Sequence, residues 1–123
     1  MNYIVVAGPD KLAISMFIRF LRNSFGPGHR IGEMHSMMSE DSVRLYMDDF
    51  SRKYPKGFIS YYAGRKINVD PMKSVPAYIV EKADVVVWFD LYSTEMKVVK
   101  DPENRFALLL GGDWKSYIDK FNG

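Results

Sequence analysis

Four residues near the start of the chain, Gly8, Asp10, Lys11 and Ser15, are of the types that handle phosphate. They lie in the run Tyr3–Ser24, YIVVAGPDKLAISMFIRFLRNS, which reads as a strand, a glycine-containing turn and an amphipathic helix. A phosphate loop has the pattern G-x-x-x-x-G-K-[ST]: backbone N–H groups cradle the phosphates, the lysine neutralises them and the hydroxyl holds Mg²⁺. Laid on Gly8, that pattern meets Ala13, Ile14 and Ser15. The frame, the first glycine and the hydroxyl are kept, and the cation is not. Phosphoryl transfer depends on positive charge around the transferred group, so an efficient kinase is not expected. A helix N-terminus still favours anions through its free N–H groups. Gly8, Asp10, Lys11 and Ser15 are therefore the candidates for a weak phosphate site, with Lys11 able to swing in for the missing lysine. The same residues serve equally as a turn and a helix cap, with Lys11 solvated.

A second group lies at Asp90 and Glu95. A carboxylate at the end of a strand can hold Mg²⁺, act as a base or act as a nucleophile. It can also only cap the segment that follows. His29, Glu33 and His35 could line one strand face, but two histidines without a firm third ligand make a poor metal site. No metal and no cofactor is expected. Met34, Met37, Met38 and Met47 are close in sequence, and methionine fills cores and adaptable binding surfaces alike.

The elements that must position these groups follow from apolar patterning. Tyr3–Ala7 is a short apolar run that fits a buried strand. Asp10 can cap the helix after it, whose Ala13, Ile14, Phe17, Ile18, Leu21 and Phe25 fall on one face. Gly26-Pro27-Gly28 stops that helix. Arg30–His35 reads as a second strand, and Ser39 with Asp41 opens a helix through Arg52 with Val43, Tyr46, Met47 and Phe50 on one side. Pro55–Gly57 reads as a turn, Phe58–Ala63 as a strand, Gly64–Pro76 as irregular and Ala77–Lys82 as a short helix. Asp84–Phe89 is a continuous apolar run, as in a central parallel strand covered on both faces. Met96–Val99 reads as a short edge strand, Phe106–Leu110 as a buried strand, and Asp113 as the cap of a last helix carrying Trp114, Tyr117, Ile118 and Phe121. The expected fold is a three-layer α/β domain over residues 1–123, with a mainly parallel sheet of about four to five strands flanked by helices.

The run IVVAGPDKLAIS resembles the phosphate loop of thymidylate kinases, an apolar strand followed by E-G-P-D-x-x-G-K-[ST]-T. Gly8, Pro9, Asp10 and Ser15 match it, while Ala7, Ala13, Ile14 and Met16 replace Glu, Gly, Lys and Thr. The same kinases follow a later apolar strand with Asp-Arg-[Tyr/Phe/His] and then a Ser or Thr. Here the corresponding run is Asp90, Leu91, Tyr92, Ser93 and Thr94, with Leu91 in place of the phosphate-handling arginine. The resemblance implies descent from a nucleotide kinase that has lost both cations. A second resemblance, through Ala7-Gly8-Pro9 and Ala83–Val87, is to nucleoside deoxyribosyltransferases and nucleotide N-glycosidases. It implies a carboxylate nucleophile, for which Glu95 is the nearest candidate beside Asp90, though no Gly-x-x-x-Glu-Leu-Gly segment surrounds it.

Composition narrows the partners. The net charge is +2, from 17 basic and 15 acidic residues scattered along the chain, so nucleic acid is not an expected partner. No run of about 18 apolar residues exists, so no membrane span is expected. There is no cysteine, hence no disulfide or thiolate metal site, and a cytoplasmic location is the expectation. The expected role is binding, either of a protein partner or, weakly, of a nucleotide or other phosphate-bearing ligand. The alternative is N-glycoside chemistry.

Overall fold

The structure, a computed structural model, describes residues 2–25, 28–64, 70–90 and 95–106. Its elements in chain order are β1 (Asn2–Gly8), α1 (Lys11–Phe25), β2 (Arg30–His35), α2 (Glu40–Lys53), β3 (Lys56–Tyr62), α3 (Pro71–Ser74), α4 (Ala77–Lys82), β4 (Val85–Asp90) and β5 (Glu95–Lys100). The five strands form one sheet in the order β2-β3-β1-β4-β5. β1 pairs in parallel with β3 and β4, β2 pairs in parallel with β3, and β5 alone runs antiparallel, against β4. The sheet is thus mainly parallel, as expected, and β1 and β4 are both interior.

The alternating side chains of β1 and β4 explain why both are apolar throughout. Ile4, Val6, Val85, Val87 and Phe89 pack with Ala13, Ile14, Phe17, Ile18 and Leu21 of α1 on one face. Val5, Ala7, Val86 and Trp88 pack with Val43, Met47 and Phe50 of α2 and Ile79 of α4 on the other. A strand buried on both sides has no position left for a polar side chain. Phe17 and Phe89 stack with ring centroids 4.4 Å apart, which ties α1 to β4. α2 is capped by Ser39, whose hydroxyl accepts the Ser42 N–H at 3.2 Å. The edge strand β5 is tied to the far layer by Lys100, whose ammonium donates to the carbonyls of Val80 at 2.7 Å and Ala83 at 2.6 Å around the end of α4.

Three expectations change. Lys56 and Gly57 belong to β3 rather than to a turn, because they pair with Asn2 and Tyr3 of β1. Gly57 suits that place because a Cβ there would come within 2.8 Å of the Phe50 ring. The segment after Gly64 contains the short helix α3. Arg105 and Phe106 form a helical turn rather than the start of a strand. Their N–H groups donate to the Asp101 carboxylate at 2.6 and 3.1 Å, and Phe106 is buried on the α1 face. The rest of the expected strand at Phe106–Leu110 and the helix after Asp113 lie outside the described residues. No described helix is long and apolar enough to cross a membrane.

Candidate functional site

The chain leaves β1 for α1 on one face of the sheet and leaves the neighbouring strand β3 for α3 and α4 on the other. Adjacent strands whose connections part in this way open a crevice at their C-terminal ends, where ligands bind in open α/β sheets. Gly8 and Tyr62 end the two strands and are Cα partners. The Ala63 N–H donates to the Gly8 carbonyl at 2.9 Å, and the Ser36 N–H donates to the Tyr62 carbonyl at 2.9 Å, so the three strand ends are knitted together.

The Gly8 turn itself is closed. Only Pro9 and Asp10 separate β1 from α1. The residues that would wrap a phosphate in the loop pattern therefore include Lys11 and Leu12, which are already helical. Gly8 is needed for backbone approach, since a Cβ there would collide with the Phe89 carbonyl of β4. The same point lies 3.1 Å from Cγ1 and 3.3 Å from Cδ1 of Ile14. Ile14 is 1% exposed, absorbed into the core where the pattern places a lysine. Asp10 accepts the Ala13 N–H at 2.9 Å, so a carboxylate already occupies the positive end of α1. Ser15 lies in the second turn of α1, half-buried.

Lys11, exposed at the start of α1, belongs to a different feature. A hollow of about 260 Å³ lies between α1 and the edge strand β2, floored by Ile14 and walled by Lys11, Glu33, His35, Ser60 and Tyr62, with Met37 at its rim. Glu33 and His35 alternate with Met34 on β2, and Ser60 and Tyr62 alternate with Tyr61 on β3, so strand periodicity brings their four side chains to the α1 side. Met37 is 88% exposed, whereas Met34 and Met47 are core. The Met37 N–H donates to His35 Nδ1 at 3.2 Å, which leaves Nε2 to carry the ring proton. The Glu33 N–H on the outer edge of β2 donates to the Tyr46 hydroxyl at 2.9 Å, so α2 blocks that edge against strand addition.

Asp90 ends β4, half-buried, and its Cα is the cross-strand partner of Glu95 in β5. Both candidate carboxylates thus come from one hairpin, whose residues 91–94 lie outside the described residues. Phe89 precedes Asp90 and touches the Gly8 turn through its carbonyl, so Asp90 and Asp10 flank the same turn. His29 and His35 are brought apart rather than together: they lie at opposite ends of β2, about 20 Å of extended chain from one another. Among the described residues no group of three or more metal-ligating side chains converges. Glu33, His35 and Met37 were visible in the sequence, but Ser60 and Tyr62 were not singled out there. The available signal was the alternation Phe58, Ser60, Tyr62, which puts polar groups at the C-terminal end of an otherwise apolar strand face. Comparison with protein-family models, with curated proteins and with solved structures finds no match.

Proposed function

We propose that this chain is a binding domain on the frame of a nucleotide kinase, without phosphoryl-transfer activity, and that it takes its ligand or partner at the groove beside Lys11. The observation that carries this reading is the closed Gly8 turn: a two-residue connection, Ile14 packed under it and the Asp10 carboxylate on the helix end. A phosphate brought to this turn meets the Ile14 side chain and the like charge of Asp10. The groove supports binding because it offers an ammonium, a carboxylate, an imidazole and two hydroxyls over an apolar floor, the mixture typical of small-molecule sites. Met37 at its rim suits an adaptable contact. The test is calorimetry with MgATP together with a phosphorylation assay on nucleoside monophosphates. Turnover in the range of ordinary kinases, about 1–100 s⁻¹, would overturn the reading.

The pairing of Asp90 with Glu95 beside the Gly8 turn favours one alternative, hydrolysis or transfer at an N-glycosidic bond. A carboxylate nucleophile must be ionised yet partly desolvated. Release of free base from deoxynucleosides and their monophosphates, abolished by Asp90→Asn or Glu95→Ala, would replace the binding reading with this one.

A further inference from the structure

The groove beside Lys11 is polarised along the strands. Glu33 of β2 and Ser60 of β3 are Cα partners, and two residues further on His35 and Tyr62 are partners as well. Each pair sets two side chains next to one another on the α1 face. The strands are about 4.8 Å apart, and the two rows follow one another at about 7 Å along the chain. The row at the strand ends offers donors. His35 Nδ1 is taken by the Met37 N–H at 3.2 Å, so the proton of the neutral ring is on Nε2. The Tyr62 hydroxyl stands beside it, and Lys11, the first residue of α1, brings its ammonium to the same end. The row below offers acceptors. The Glu33 carboxylate has only lone pairs to give. The Ser60 hydroxyl turns its proton to the Gly32 carbonyl, 3.4 Å away, which leaves its lone pairs for the groove.

The groove holds one formal charge of each sign. Lys11 comes from the helix wall and Glu33 from the strand wall, and the two do not pair with one another. A multiply charged anion therefore gains at Lys11 what it loses at Glu33. A neutral ligand would strip water from both charges and return nothing to either. A molecule carrying an ammonium and a carboxylate meets each wall with its opposite, in charge-assisted hydrogen bonds. Size points the same way. The hollow of about 260 Å³ lies below the roughly 300–1,000 Å³ of sites for drug-sized ligands. Ile14 on the floor and the exposed Met37 at the rim offer apolar contact for an aliphatic side chain.

Given that the domain binds at this groove, we propose that its ligand is a free α-amino acid with an aliphatic side chain, its carboxylate at Lys11, His35 and Tyr62 and its ammonium at Glu33 and Ser60. The probes are L-leucine and its two halves, isocaproate without the ammonium and isopentylamine without the carboxylate, each titrated into the ¹⁵N-labelled full chain. Saturable shifts with leucine are expected at the amides of Glu33, His35, Ser60 and Tyr62. Each half should bind at least ~10-fold more weakly, the size of one lost charge-assisted bond. Glu33→Gln should weaken leucine by a similar factor and leave isocaproate no weaker, whereas Lys11→Gln should weaken both. Both residues are exposed, and the comparison of leucine with its halves needs no variant at all. Leucine that moves no amide of the groove, or that binds no better than either half, overturns the amino-acid assignment. If deoxyadenosine monophosphate then shifts the same amides, the groove stands as the binding site and only its ligand was misassigned. If neither leucine, the monophosphate nor MgATP moves them, the groove falls as a binding site along with the assignment.

Discussion

Replacing Ala13 by glycine and Ile14 by lysine would complete the letters of a phosphate-loop pattern, and the structure predicts that the completed letters do not create a phosphate site. Ala13 and Ile14 are 3% and 1% exposed. Ala13→Gly in a helix costs about 1 kcal/mol. Truncating a buried isoleucine to alanine costs roughly 2–5 kcal/mol. A lysine stem recovers part of that by running along the groove that Ile14 floors, with its ammonium emerging near Lys11. The double change should therefore cost ~3–4 kcal/mol, with the two adjacent positions not strictly additive. A chain of 123 residues has a stability of roughly 6–18 kcal/mol, so the variant should fold. Its melting temperature should fall by roughly 10–20 °C. Thermal and urea unfolding followed by circular dichroism give the first number, and calorimetry with MgATP gives the second. No gain in ATP affinity is expected, because Lys11 and Leu12 are helical and no loop remains to wrap the phosphates. A variant that melts within a few degrees of the parent and binds MgATP in the micromolar range would refute the closed-turn argument on both counts.

Three further outcomes are expected. Asp10→Ala removes the acceptor of the Ala13 N–H and should cost about 1 kcal/mol, whereas Asp10→Asn should cost only tenths; equal losses in urea unfolding would show that the cap is not what Asp10 supplies. Lys100→Met leaves the carbonyls of Val80 and Ala83 without their ammonium donor and should cost about 1.5–3 kcal/mol, with hydrogen exchange accelerated first in α4 and β5; uniform acceleration across the sheet would contradict a local tether. Burial, and less so the neighbouring Tyr78, holds the Tyr61 phenol above its ordinary value of 10.0. The unfolded phenol then loses its proton before the folded one, so Tyr61 stabilises the fold below about pH 10 and that contribution fades as pH rises through the folded value. The urea midpoint of the parent should fall more steeply above pH 10 than that of Tyr61→Phe, and parallel curves would exclude this linkage.

Much of this fold was legible because its central strands are buried on both faces. Tyr3–Ala7 and Val85–Phe89 admit almost no polar residue, and a continuous apolar run of that length between turn signals has few other uses. The misreadings came where residue type has two physical meanings. Pro55-Lys56-Gly57 has the composition of a turn, yet Gly57 is a strand residue that makes room for the Phe50 ring. Phe106 is buried as a strand residue would be, but it reaches the core from a helical turn capped by Asp101. The paired ends Asp90 and Glu95 required knowing that β5 turns back antiparallel, which no local pattern specifies.

The Gly8 turn is the sharpest case. A glycine between an apolar strand and a helix satisfies the phosphate-loop frame, where the missing side chain admits phosphate. In this fold the missing side chain admits the Phe89 carbonyl of the neighbouring strand, and Ile14 closes what space is left. The sequence carries the distinguishing sign one turn later. A lysine at position 14 could not sit at 1% exposure without a counter-charge, whereas isoleucine there gains from burial. Isoleucine at position 14 therefore stabilises the closed turn, and the approach of β4 alone accounts for glycine at position 8. The polar side chains that the sequence offers for binding then lie where the fold leaves open surface, with Lys11, Glu33, His35, Ser60 and Tyr62 together beside α1 at the C-terminal ends of the strands.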